Sequence, residues 1–226
     1  MCGRSSLTVI EKELEKRFNS TFYSEDLERY NPLPNYNVAP THMHPVITNL
    51  DQDHLQFFRW GLIPFWAKDM KIGYKMINAR KETLLEKKTF KNAVNTKRCI
   101  VPFDGFYEWK KTSSGKQPYR IITTNTKVFS VAGLWERWSP KEGEDIFSFT
   151  LITQEPNELL ADIHNRMPAI LSPDQERDWL NMDISSADAI ESLQPYPSEL
   201  MKAYPVSTRV GNVRENDEEL LEEIDV

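Results

Sequence analysis

Two cysteines in 226 residues are too few to staple a fold with disulfides. No apolar run approaches the ~20 residues of a membrane-spanning helix. Where a secretory signal would carry its apolar core, residues 11–17 read EKELEKR. These absences imply a soluble protein of an intracellular, reducing compartment, with no membrane partner. Histidine is also scarce. His42 and His44 lie close in sequence, yet no Cys, Asp or Glu completes a set at metal-ligand spacing, so neither a metal nor a cofactor is expected. No repeat or low-complexity linker divides the chain, and its length suits one well-cored domain. The C-terminus has no base: from Glu215 to Val226 there are seven acids and no Lys or Arg, and removing those seven from the net −6 leaves +1 for the body. Residues 1–214 therefore read as the domain and 215–226 as an acidic tail.

What is present is concentrated charge, aromatic rings and short strands. Residues 59–98 hold eleven Lys or Arg against three acids, a candidate anion-binding face or a solvated lysine-rich surface. Thr8 with Glu11 reads as a capping box for a helix over Thr8 to Phe18, in which Ile10, Leu14 and Phe18 recur every four residues. Strands follow at Pro45 to Leu50, His54 to Trp60, Arg98 to Lys110, Tyr119 to Thr124, Val128 to Trp138 and Phe147 to Thr153. Helices return at Glu155 to Ile163, at Pro173 to Leu180 behind a Ser172 cap, and at Ser185 to Leu193. The pattern predicts a single α+β domain, mostly antiparallel strands curled into an open barrel-like sheet with flanking helices.

Five stretches bear on chemistry. In MCGRSS, removal of Met1 ahead of the small Cys2 exposes an α-amine and a thiol on neighbouring carbons, with ordinary pKa values of ~8 and ~8.5. Such a 1,2-aminothiol condenses with an aldehyde to an imine and then a thiazolidine ring, or serves as an N-terminal nucleophile. The competing reading is a cysteine on a frayed terminus. In RWGLIPFW (59–66), Trp60 reads as core, whereas Phe65 and Trp66 lie beyond Pro64 in a loop suited to stacking bases beside lysines. In MINARKET (76–83), an extended chain puts Asn78 and Arg80 on one face, either as an amide that orients a reactant and a guanidinium that holds phosphate or as a helix cap and a salt bridge. In CIVPFDGFYEW (99–109), Glu108 stands between Tyr107 and Trp109, either as a desolvated general acid or as a strand residue facing water, and Cys99 reads as a small buried hydrophobe. In LLADIHNRMPAIL (159–171), His164 and Arg166 occupy a polar break, either as site residues or as a core histidine and a surface arginine.

Together MCGR, YNVAP, WGLIPFW, INARKET, VPFDGFYEW, DIHNRMP and VSTRVGNV, in that order from Cys2 to Val213, resemble the SOS response-associated peptidase (SRAP) family. The resemblance implies a monomeric protein that binds single-stranded DNA and captures the ring-opened aldehyde of an abasic site as a thiazolidine at Cys2. It assigns Cys2 as nucleophile, Asn78 as the group orienting its amine, and Glu108 and His164 as proton-transfer groups. Arg4, Asn37, Pro40, Trp66, Arg80 and Arg166 are implied to line the DNA groove. The family's peptidase label implies removal of residues ahead of Cys2. The acidic tail matches no family motif and is a candidate competitor of DNA for the basic face. Two rival classes stand beside this: an N-terminal-cysteine amidohydrolase using Cys2, His164 and Glu108 on a small substrate, and a non-catalytic single-strand binding module built on the Trp/Lys loop.

Overall fold

The computed structural model describes residues 2–225; Met1, whose removal the sequence predicts, and Val226 lie outside them. In chain order the described elements are β1 (Ser5–Leu7), α1 (Glu11–Phe18), β2 (Thr21–Phe22), α2 (Ser24–Tyr30), β3 (Asn35–Val38), β4 (Met43–Thr48), β5 (Asp51–Trp60) and β6 (Asn78–Arg80). There follow α3 (Lys88–Thr96), β7 (Arg98–Phe103), β8 (Gly105–Thr112), β9 (Gly115–Thr123), β10 (Phe129–Trp138), β11 (Ile146–Gln154) and α4 (Glu158–Ala161). The chain ends with β12 (Met167–Pro168), β13 (Ile170–Leu171), α5 (Pro173–Leu180), α6 (Ser186–Glu191) and β14 (Met201–Pro205).

The α+β class is as expected, and the curled sheet closes completely. β10 lies antiparallel between β7 and β11, β7 pairs with β4, and β4 pairs with β5. β5 then meets β11 in parallel, Ser148 opposite Arg59 and Phe149 opposite Trp60, which makes a ring of five strands. Trp60, Val101, Phe103, Val131, Phe149 and Leu151 are all buried in one apolar cluster, so side chains fill the ring. A second sheet runs β14-β9-β8-β1-β3.

The stretch expected as one strand, Arg98 to Lys110, is two strands in two different sheets, broken at Asp104. The break is chemical. The buried Asp104 carboxylate accepts Ser6 Oγ at 2.6 Å, Thr8 N at 2.6 Å and Thr8 Oγ1 at 2.5 Å, and pairs with Arg120 at 3.3 Å. At Gly105 a Cβ would sit 2.9 Å from the Arg120 guanidinium, so only glycine lets the chain turn over that ion pair. Asp104 also explains why Thr8 does not cap α1: its hydroxyl is already bound, the helix begins after Ile10, and Glu13 Oε2 accepts the Ile10 amide instead. Ser172 does cap α5 in a full capping box with Gln175. The helix expected over Glu155 to Ile163 is shorter, because Asn157 accepts Leu160 N and starts α4 there.

The basic stretch is not all surface. Arg98 is buried and donates to the carbonyls of Val94, Asn181 and Ile184, tying α3 to the segment between α5 and α6. Arg59 is also interior, and Lys97 pairs with Glu136.

Candidate active site

Cys2, Asn78, Glu108 and His164 come from four separate parts of the chain and meet. The N-terminal segment runs antiparallel to β8, Ser5 opposite Phe106, and Tyr107 N donates to Arg4 O at 3.0 Å. This lays Cys2, buried, against the strand that carries Glu108. Along β8 the side chains alternate: Phe106 joins the barrel cluster, Tyr107 joins a cluster on the other face, and Glu108 returns to the barrel side. β6 lies parallel to β11, Asn78 opposite Leu151, with Ala79 buried on the opposite face as an extended chain requires. From there Asn78 Nδ2 donates to Cys2 O at 2.7 Å, and its Oδ1 is a buried acceptor without a partner among the described residues. His164, in the turn after α4, places Nε2 3.9 Å from Glu108 Oε2.

The electrostatics follow from burial. Desolvation pushes the Glu108 carboxyl up from 4.5 to about 7, where acid and base forms coexist near neutrality. Burial first, and the Glu108 charge second, push the Cys2 thiol well above the usual thiol range, so the sulfur rests as S–H. His164 is lowered, chiefly by burial. Its Nδ1 faces the Arg166 amide at 3.1 Å and the Arg166 carbonyl at 3.2 Å. In the neutral ring Nδ1 accepts from the amide, which leaves the proton on Nε2, the nitrogen turned toward Glu108.

Phe65 and Trp66 are 61% and 54% exposed, and Trp60 is fully buried, as the sequence suggested. Their loop is set by two glycines: Gly61, at φ +116, and Gly73 approach so closely that a Cβ on either would lie 2.7 Å from the other's carbonyl oxygen. Trp138 Nε1 holds the loop at Ala67 O, 2.8 Å away. Arg80 is exposed and Pro40 half-buried.

Arg4, Asn37 and Arg166 are engaged within the protein. Arg4 donates to Asn37 Oδ1 at 2.8 Å, to Gly211 O at 3.0 Å and to Val210 O. Asn37, 1% exposed, donates to the carbonyls of Val210, Asn212 and Glu215. Both therefore hold the C-terminal segment. That segment is clamped further by Leu220, buried beside Tyr107 and Val206, and by Arg209, which pairs with Glu215, Asp217 and Glu219. Arg166 pairs with Glu82, a residue the motif reading passed over because a lone Glu in a 3-10 turn carries no sequence signal.

The remaining histidines have ordinary roles. His44 is buried with Nε2 2.7 Å from Pro102 O and is lowered to about 4 by burial. His54 pairs with Asp51 and stacks on Tyr23, and His42 Nδ1 accepts the Ala39 amide. Among the described residues no three His, Cys, Asp or Glu are grouped to hold a metal ion, and no helix is long and apolar enough to cross a membrane. A cavity of 850 Å³ between α2 and the β10–β11 turn, lined by Tyr23, Tyr30, Phe58 and Phe147, includes none of the four converging residues.

The chain is similar to a protein named abasic site processing protein YoqW from Bacillus subtilis, 44% identical over 98% of this chain and 99% of the relative. It is 33% identical to abasic site processing protein HMCES from Xenopus tropicalis, over 98% of this chain and 78% of that one. A crystal structure of a Bacteroides thetaiotaomicron protein superposes with a TM-score of 0.91 at 31% identity, covering 99% of this chain and all of the other. Residues 1–213 match the family described as SOS response associated peptidase (SRAP), and the chain belongs to that family.

Proposed function

We propose that the protein processes abasic sites in DNA, capturing the ring-opened sugar aldehyde in single-stranded DNA as a thiazolidine on Cys2 and so shielding the lesion. Removal of Met1 gives Cys2 its α-amine. The amine adds to the C1′ aldehyde to give a carbinolamine, and Glu108, half-protonated near neutrality, donates the proton with which hydroxide leaves as water. The resulting imine is attacked by the Cys2 sulfur while Glu108 takes up the S–H proton. One C–N and one C–S bond replace the carbonyl, and one water is released. His164, with its Nε2 proton turned toward Glu108, relays protons in opening the closed sugar, where O4′ gains a proton and the 1′-hydroxyl loses one. Asn78, already bound to Cys2 O, offers its unpaired Oδ1 to the amine.

The observation that carries this reading is the convergence of Cys2, Asn78, Glu108 and His164 from four separate segments; the names of the relatives support it. The buried, protonated thiol supports an order in which the amine adds first and the sulfur second. The exposed Phe65 and Trp66 beside Lys68 and Lys71 suit stacked bases and a phosphate backbone, in keeping with a DNA-associated, intracellular protein. The test compares abasic with intact single strands across salt concentrations: ionic binding to both weakens alike, and only the abasic complex survives denaturation. Equal loss of both complexes would leave only a non-catalytic binding module.

A further inference from the structure

Glu82 lies outside the four converging residues, yet two walls of the site are joined through it. It sits in the 3-10 turn Lys81–Thr83, directly after the strand that presents Asn78. Its two carboxylate oxygens accept Arg166 Nη1 at 2.9 Å and Nη2 at 2.8 Å, a bidentate pair. Arg166 Nη2 also donates to Thr153 O at 2.6 Å. Thr153 is the residue of β11 that lies opposite both Arg80 of β6 and Pro168 of β12. The guanidinium therefore bridges the strand bearing Asn78 and the turn bearing His164, and its own backbone amide and carbonyl flank His164 Nδ1. Glu82 is exposed, and although its partial burial favours the neutral form, the Arg166 hydrogen bonds, a bond from its own amide and the Arg166 and Arg80 charges together hold its carboxyl below the usual range.

We propose that Glu82 is a positioning residue for the reaction: by clasping the Arg166 guanidinium it fixes the His164 turn, and with it the imidazole, relative to Asn78 and Cys2. This rests on the abasic-capture reading. The geometry gives the carboxylate more to do than neutralise an arginine that awaits a phosphate. A planar fork engaged at Nη1 and Nη2 on one side and on the Thr153 carbonyl on the other has one orientation, and lysine cannot reproduce it.

The test uses Glu82→Gln and Arg166→Lys in the full-length, Met1-processed protein. Two readouts are followed: the rate of adduct formation at saturating abasic single strand, and the side-chain ¹⁵N signals of His164 without DNA. Glu82→Gln keeps one acceptor oxygen and loses the charge. It is expected to slow capture on the order of tenfold, within the 10²-fold that a 1 Å misplacement causes, to alter the His164 ¹⁵N signals, and to leave affinity for intact single strands unchanged or tighter. Arg166→Lys, which keeps its charge, is expected to slow capture similarly, and the double variant to be no slower than the slower single, because both break one clasp. A wild-type rate in Glu82→Gln overturns the proposal whatever the DNA affinity, and with tighter binding makes Glu82 a simple counterion; additive losses in the double variant or unchanged ¹⁵N signals also overturn it. The ¹⁵N signals report on the clasp whether or not wild-type protein forms an adduct, so failure of the capture chemistry is read separately.

Discussion

Glu108 carries a stability cost that its burial makes measurable. Its carboxyl is raised from 4.5 to about 7, so the folded protein holds this proton to higher pH than the unfolded chain does. Between those values the unfolded state ionises first, and stability declines as pH rises, by on the order of 3 kcal/mol once above both. Glu108→Gln is therefore expected to be more stable than the parent in urea melts at pH 8 and equal to it near pH 4, while capturing abasic DNA on the order of 10²-fold more slowly. A stability gain of the same size at both pH values would mean that desolvation of the charge is not the cause. In Cys2→Ser the amine remains, so an imine still forms but ring closure is weakened, since a hydroxyl is far less acidic than a thiol. Its adduct is expected to be reversible and trapped only by borohydride, which a denaturing gel with and without reductant reads directly. At this scale the sequence was informative, because the four converging residues sit in motifs whose order is itself a signature. Glu82 and Asp104 escaped notice: their importance lies in partners 84 and 98 residues away in sequence.

Among the elements, the loop between β5 and β6 depends on the back-to-back approach of Gly61 and Gly73. Gly73→Ala forces the two chain segments apart, so it is expected to displace Phe65 and Trp66 and weaken binding to intact single strands by on the order of the 1–3 kcal/mol of one stacked base. Binding titrations check this, and Trp66→Ala should lose a similar amount. Undiminished affinity in both variants would exclude the loop as a stacking platform. The C-terminal segment is a second dependent element. Leu220→Ala empties a fully buried position and is expected to cost about 2–4 kcal/mol in denaturant melts. Strong patterns were legible here: β5, β10, β11 and the Ser172-capped α5 fall within a few residues of their expected limits. The split of Arg98–Lys110 was not, since an apolar run continues across Asp104 and nothing local reveals the arginine beneath Gly105.

The whole molecule is a closed barrel with its N-terminal segment laid along the second sheet, and the ring is sealed by a parallel pairing of β5 with β11, some ninety residues apart. Hydrophobic alternation predicts strands but not which distant strand completes a ring, so closure was beyond the sequence while the α+β class was not. Its charge is likewise a property of the folded whole. Of the basic residues between 59 and 98, Arg59 and Arg98 are withdrawn into the interior, and three of the tail acids are held by Arg209. The most direct measurement is the intact mass of the protein after mixing, without reductant, with a single-stranded oligonucleotide carrying one abasic site. Capture at Cys2 predicts one species equal to Met1-less protein plus oligonucleotide minus one water, surviving heat. No covalent species, or one that appears only after borohydride or on protein that retains Met1, would contradict it.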